Sequence, residues 1–320
     1  MKNRVLQFAK IPPPIGGITI HVKRLVDSIN RLQSENLVDI LDYSRERKLK
    51  IIIFKIYRAK IVHIHLSRQS HRLFFIIFFK FLYKKVVVTF HGKKDFTNKF
   101  DYLALIFANR AIVLNQDTYS KAIKISKRAL LVGAFIPPNT GLEASTIKPS
   151  TLLEIEKLRS NHKYLFSTNA FNVAFDDNDM EIYGGSLMIN IFSELKDVAL
   201  VFSDPTGDYK RFLIKKYEVL PENVYFINYS HDFIEIIKLS DCTIRATTTD
   251  GDPLSVKESL FFSTNVICSN VVDRPNGVIT YNSEKDLKEI INNYSNYGQE
   301  YLGYSHEDNV SKIINIYKSF

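Results

Sequence analysis

Short apolar runs alternate with longer amphipathic segments along the whole chain, the pattern of α/β units built on parallel sheets. In the first half the runs predict strands at Val5–Ala9, Val38–Leu41, Ile61–His65, Val86–Phe90, Ala111–Leu114 and Leu130–Val132. Between the first two, Ile18, Val22, Leu25, Ile29 and Leu32 recur at helical spacing, while Lys23, Arg24 and Asp27 fall on the other face, which predicts an amphipathic helix. A stretch rich in Pro, Thr and Ser, roughly Ile136 to Thr151, reads as a linker. A second series follows, with strands at Tyr164–Ser167, Val198–Phe202, Val224–Ile227, Cys242–Arg245 and Val266–Ser269, and helical segments that include Leu187–Leu195 and Phe212–Tyr217. A last helix is expected near Val310–Tyr317. The fold class is therefore α/β, with two Rossmann-like domains, residues 1–150 and 151–305, expected to face one another across a cleft, and a terminal segment, 306–320.

A chain of 320 residues, 45% hydrophobic and 24% charged, is comfortable for two soluble domains. Its start, MKNRVLQFAK, has no apolar signal region, so export is not expected. Cys242 and Cys268 have no paired-ligand spacing, which points to a reducing cytosol and no structural zinc. The net charge of +9 hides an asymmetry: residues 1–150 hold 27 Lys and Arg against 9 Asp and Glu, and the remainder holds 16 against 25. The basic half is expected to meet something anionic, whether nucleic acid, a membrane face or a phosphorylated substrate. Two segments, Arg45–Lys60 and Arg72–Lys85, mix Lys and Arg with bulky apolar residues; each reads either as an interfacial helix on anionic lipid or as a buried helix with basic caps. Nucleic acid is disfavoured, because no recognised module accompanies the charge.

The segment Asp250-Gly-Asp-Pro-Leu-Ser-Val-Lys-Glu258 joins a strand to a helix opening near Leu254. Such a junction presents backbone N–H groups and a positive dipole end, which suits a phosphate. Glu258, one turn inside, is placed to accept hydrogen bonds from a ribose, and Asp250, just outside, to meet a sugar hydroxyl. Pro12-Pro-Pro-Ile-Gly-Gly17 likewise runs from a strand into a helix; a tight turn that needs glycine is the simpler reading, and close approach of the backbone to an anion the other. No dinucleotide Gly-x-Gly-x-x-Gly is present, which disfavours a NAD-type site. His91-Gly92 follows a β-run at the end where α/β sheets bind ligands, either to contact a sugar or phosphate or simply to lie in solvent. His63 and His65 share one sheet face and are expected to be structural or cleft-lining, without a metal. Asp176, Asp177 and Asp179 read as a solvated loop. The serine-hydrolase elbow, the Walker loop and the zinc-protease motif are absent.

In order and spacing these segments resemble the bacterial family 4-type glycosyltransferases of GT-B fold, over nearly the whole chain. The resemblance rests on Gly16-Gly17 followed by His21, on Thr89-Phe-His-Gly92, on Ala111–Asn115, on Gly133-Ala-Phe-Ile-Pro-Pro138, and on Asp250–Glu258 as the family's Glu-x7-Glu element with Asp in first place. Arg245, Ala246-Thr-Thr-Thr249 and Asp273-Arg-Pro275 are similar to a subgroup of surface polysaccharide synthesis. The resemblance implies a retaining transfer of a hexose, without metal or cofactor, from a nucleotide-diphospho-sugar to a lipid-linked saccharide of O-antigen or capsule. It implies an enzyme in the cytoplasm, peripheral to the inner membrane face, whose last helix crosses back to the first domain. Gly16 and Gly17, the turn at Gly251, the amides of Leu254, Ser255 and Val256, the Ser255 hydroxyl, and Arg245 and Lys257 would bind the donor diphosphate. Glu258 would hold the ribose, and His91 and Asp250 the sugar.

The family's Arg…Lys pair is missing. Ser167-Thr-Asn-Ala-Phe-Asn172 stands in its place, followed by Tyr183-Gly-Gly-Ser186. Arg245, Lys257 or Arg274 would have to supply the charge, or Gly184-Gly-Ser186 the N–H donors. That departure motivates the alternative of a non-catalytic partner protein on the same fold.

Overall fold

A computed structural model describes residues 4–13, 15–32, 37–92, 94–139, 145–297 and 304–320. Pro14 of the first glycine loop and residues 140–144 of the expected linker lie outside the described residues. The chain divides into two compact units, one of Met1–Asn139 with His306–Phe320 and the other of Thr140–Ser305.

In the first unit, β1 (Val5–Ala9), α1 (Gly17–Leu32), β2 (Val38–Asp42), α2 (Leu49–Arg58), β3 (Ile61–Ile64), α3 (Gln69–Phe81), β4 (Lys85–Phe90), α4 (Lys99–Phe107), β5 (Arg110–Val113), α5 (Gln116–Ile125) and β6 (Ala129–Leu131) alternate strictly. The strands form one parallel sheet in the order β2-β1-β3-β4-β5-β6. All residues of β1 and β3 are buried, as a parallel sheet covered on both faces requires. Leu6, Val62, Ile64, Ile76, Phe79 and Phe90 lie at the centre of this core.

In the second unit, α6 (Pro149–Asn161), β7 (Tyr164–Asn169), α7 (Gly185–Glu194), β8 (Val198–Ser203), α8 (Asp208–Tyr217), β9 (Val224–Ile227), α9 (Phe233–Leu239), β10 (Cys242–Arg245), α10 (Leu254–Phe261), β11 (Asn265–Ser269), β12 (Val278–Tyr281) and α11 (Glu284–Asn292) build a parallel sheet ordered β12-β11-β10-β7-β8-β9. Strand β12 escapes the apolar pattern because it is short and only half its residues are buried. Gly184, at φ +59°, opens α7 against β10: a Cβ there would stand 2.7 Å from the Ala246 carbonyl oxygen, so only glycine lets the two backbones meet. The terminal helix, α12 (Asn309–Lys318), belongs to the first unit. Asn309 donates to the Phe135 carbonyl at 2.9 Å, and Ile313 and Tyr317 are buried.

Arg72 corrects one sequence expectation. As the basic head of an amphipathic segment it was expected at a lipid surface or as a basic cap, yet it is fully buried. Its guanidinium pairs with Asp101, donates to the carbonyls of Leu66 (2.9 and 2.8 Å) and Ser67 (3.0 Å), and stacks 4.8 Å over Phe90. Burial pulls its pKa down and Asp101 opposes that. Arg72→Met leaves a buried carboxylate short of its main partner and is expected to cost about 3–5 kcal/mol in urea unfolding. The double variant Arg72→Met/Asp101→Asn is expected to lose less than the single one.

Candidate functional site

Strand β10 ends at Arg245, and the turn through Gly251 and Pro253 leads into α10. Asp250, buried in that turn, is engaged through both oxygens. Oδ1 accepts from Arg245 Nη2 and the Gly251 amide, each at 3.2 Å; Oδ2 accepts from Arg245 Nε at 3.3 Å, Arg274 Nη1 at 3.0 Å and Thr247 Oγ1 at 3.3 Å. Arg274 also donates to the Ser269 carbonyl at 3.0 and 2.9 Å, which ties the loops after β10 and β11 together. Burial alone would raise the Asp250 pKa, but the two guanidiniums outweigh it and hold the carboxyl below its ordinary value. Burial would likewise discharge Arg245, and Asp250 more than reverses this. Asp250 therefore anchors two arginines, and a sugar hydroxyl would compete with them for it.

Two cations on one carboxylate leave this knot positive, beside the start of α10. Pro253 caps that helix without a side-chain hydrogen bond, and the first turn holds no acidic residue, so the helix dipole is not offset from within. Leu254, Ser255 and Val256 form this first turn, with Ser255 and Val256 buried. Glu258, one turn on, is buried as well. The helix is pinned to the sheet by hydroxyls: Ser259 Oγ lies 2.9 Å from Thr243 Oγ1, which lies 3.2 Å from Ser167 Oγ.

Among the stand-ins for the missing basic pair, Arg245 and Arg274 come together. Lys257 is paired with Asp252. The Ser186 amide is taken by Glu181 at 2.9 Å, and Lys216 reaches the Ser186 hydroxyl at 2.7 Å, so α7 begins already capped.

In the first unit, four histidines gather at the carboxyl ends of β3 and β4 and on α1. Ring centroids stand 5.4 Å apart for His65 and His91, 5.6 Å for His21 and His91, 5.8 Å for His21 and His65 and 4.1 Å for His63 and His65. Hydrogen bonds join His91 Nε2 to His65 Nδ1 (3.1 Å), His65 Nε2 to Gln7 Oε1 (2.9 Å), Gln7 Nε2 to Tyr317 (2.8 Å), Tyr317 to His63 Nδ1 (2.6 Å), and His63 Nε2 to Thr89 (2.7 Å). Burial pushes the His63 pKa down to about 3 and lowers those of His65 and His91, with neighbouring rings adding to the effect. Sequence reasoning passed over Gln7 and Tyr317; the signal for Gln7 was a lone amide inside the buried run Val5–Ala9.

Gly16 and Gly17 meet nothing within 4 Å of an added Cβ, and neither has a left-handed φ, so the turn itself does not demand glycine. The Gly16 amide is already taken by Thr19 Oγ1 at 3.0 Å. Asp176 accepts from the amides of Asn178 (2.9 Å) and Met180 (3.1 Å) in an exposed turn, as expected of a solvated loop. Among the described residues no helix is long and apolar enough to cross a membrane.

No family profile and no curated protein sequence matches the chain. Solved structures do. HepE (Alr3699) of Anabaena, solved with UDP, is similar at 12% identity and a TM-score of 0.68, over 99% of this chain and 100% of that one. A glycosyltransferase from Rickettsia africae is similar at 14% identity and a TM-score of 0.67, over 100% and 99%. A putative UDP-N-acetylglucosamine 2-epimerase from Listeria monocytogenes is similar at 13% identity and a TM-score of 0.62, over 100% and 96%. The fold is GT-B.

The buried histidines set a pH response. His63, His65 and His231 have pKa values below the ordinary 6.5, so below that pH the unfolded chain binds more protons than the folded one. Stability is expected to be flat between about pH 7 and 8 and to fall from there to pH 5.5, by at most about 1.4 kcal/mol per pH unit for each histidine. Asp250 adds nothing in that window, since its contribution is lost only near and below its ordinary 3.8. Urea unfolding at a series of pH values measures this.

Proposed function

We propose that this protein is a glycosyltransferase that takes a hexose from a nucleotide-diphospho-sugar. The observation that carries the reading is the start of α10, which has no side-chain cap, beside the cationic Arg245–Asp250–Arg274 knot, with buried Glu258 one turn on, in a GT-B fold. UDP bound to the similar HepE supports a nucleoside diphosphate as the leaving group. The amides of Leu254, Ser255 and Val256 and the Ser255 hydroxyl receive the diphosphate, and Glu258 accepts from the ribose hydroxyls. Arg245 and Arg274, held by Asp250, offset the charge that builds on the leaving group. These are fixed dipoles and charges that need no rearrangement as the bond breaks. Transfer proceeds with retention, by front-face attack of the acceptor hydroxyl, and needs no metal.

Glu258→Ala is expected to weaken calorimetric binding of the preferred UDP-, GDP- or dTDP-sugar by about 10–100-fold, the worth of hydrogen bonds to a charged group, and to abolish radiolabelled sugar transfer. Unchanged binding and transfer would overturn the site. Binding of none of these donors favours the non-catalytic partner, to which the hydroxyl-lined end of β7 also points. Conversion of the donor without any acceptor would assign an epimerase instead.

The acceptor in this reading is a lipid-linked saccharide of O-antigen or capsule assembly, met at the cytoplasmic face of the membrane. Helix α2 buries no residue and exposes Leu49, Ile53, Phe54 and Tyr57, while α3 exposes Phe74, Ile77, Phe78 and Phe81, with Tyr83 after it. Lys84 Nζ donates to the carbonyls of Tyr57 (3.2 Å) and Ala59 (2.7 Å), which brings the ends of the two helices together. Lys48, Lys50, Lys60 and Lys85 are exposed on the same segments. Aromatic side chains among lysines suit an anionic lipid surface. The protein is expected to float with phosphatidylglycerol/phosphatidylcholine vesicles at low salt and not with phosphatidylcholine alone. Replacing Phe54, Tyr57 and Phe81 with serine is expected to reduce that binding at least about tenfold, since each buried apolar side chain contributes about 1.5–3 kcal/mol.

A further inference from the structure

The hydrogen-bonded histidines of the first unit have a direction. An amide oxygen only accepts and an amide nitrogen only donates, so Gln7 fixes the bonds on either side of it. Its Oε1 requires the proton of His65 on Nε2. A neutral His65 then offers a bare Nδ1, and His91 must donate to it from Nε2. On the other side, Gln7 Nε2 donates to the Tyr317 oxygen, so the Tyr317 hydroxyl turns its proton to His63 Nδ1. The 2.6 Å length of that last contact agrees: the alternative, an N–H···O bond, spans about 2.7–3.2 Å. His63 in turn donates from Nε2 to Thr89.

We propose that Gln7 is a positioning residue that holds His91 as its Nε2–H tautomer, so that Nδ1 is a fixed acceptor for an uncharged hydroxyl of a saccharide. A bare imidazole nitrogen accepts a hydrogen bond from a hydroxyl and gains nothing from a deprotonated phosphate, which has no proton to give. His91 therefore selects a sugar hydroxyl and rejects the diphosphate. Reversing the Gln7 amide would reverse every bond in the chain and turn His91 Nδ1 into a donor. Tyr317 and Thr89 bear hydroxyls that both donate and accept, so each follows the direction the Gln7 amide sets. His21 stands outside the relay, since the Ala134 carbonyl, 2.7 Å from its Nδ1, fixes its own proton there.

The identity of the hydroxyl rests on the sugar-transfer reading; the tautomer does not. Two-bond 1H–15N correlation spectra of the full chain, labelled with 15N-histidine and recorded at pH 7.5 without ligand, read each ring directly. The parent protein is expected to show Nε2–H for His91, His65 and His63, and Nδ1–H for His21. In Gln7→Glu the carboxylate accepts from both sides, so His91 keeps Nε2–H while Tyr317 turns to Glu and His63 changes to Nδ1–H. A merely structural role would not move His63 and His91 differently. A parent His91 with Nδ1–H, or a Gln7→Glu protein in which His91 changes and His63 does not, overturns the proposal. Addition of a UDP-hexose or a methyl hexoside is expected to shift the His91 Nδ1 resonance, the responding one naming the source of the hydroxyl, while UDP and inorganic phosphate leave it in place. A shift with UDP or phosphate, or with neither saccharide, overturns the assignment to a hydroxyl.

Discussion

A parallel sheet covered on both faces has no place for an unpaired polar side chain, since a buried group without a partner costs about 1–3 kcal/mol. Each unit of this protein nevertheless carries polar residues within its central strands. Gln7, His63 and Thr89 lie in the first sheet, and Ser167 and Thr243 in the second, all buried. Their partners have to be supplied from within the fold, and that need determines what happens at the carboxyl ends of the strands. In the first unit the answer is a relay of rings and an amide that reaches α12. In the second it is a hydroxyl seam that seats α10 and, just beyond it, the knot of Asp250 with two arginines.

Both solutions leave prepared groups at a strand end. The knot keeps two guanidiniums charged in a buried place, next to a helix start that its own first turn does not neutralise. The relay keeps imidazoles neutral where water would let them protonate. At these strand ends, then, the knot is suited to negative charge and the relay to hydroxyls. For sugar transfer, that division matches a donor with a diphosphate and a substrate rich in hydroxyls.

Much of the architecture could be read from periodicity, because covered parallel strands are continuous apolar runs and their crossovers are amphipathic. Every expected strand of the first unit is present, shifted by at most a residue at its ends. What escaped reading depends on pairs far apart in sequence. Tyr317 meets His63 across 254 positions, and Arg274 meets Asp250 across 24. Arg72 looked like one more charge on an apolar helix, and nothing local announces that Asp101 waits 29 residues on. Asp250 was legible as a carboxylate beside a turn, but its partners, which decide what it can still bind, were not.

The place of α12 has a consequence for how the chain is made. The first unit is interrupted by the whole of the second, so the ribosome must deliver 254 further residues after His63 before Tyr317 exists to receive it. At translation speeds of about 5–20 residues per second that is a wait on the order of tens of seconds. Through that interval Gln7 and His63 are without the Tyr317 hydroxyl that both bond in the finished protein. The second unit, contiguous in sequence, can close as it emerges; the older half of the molecule is the last to be finished.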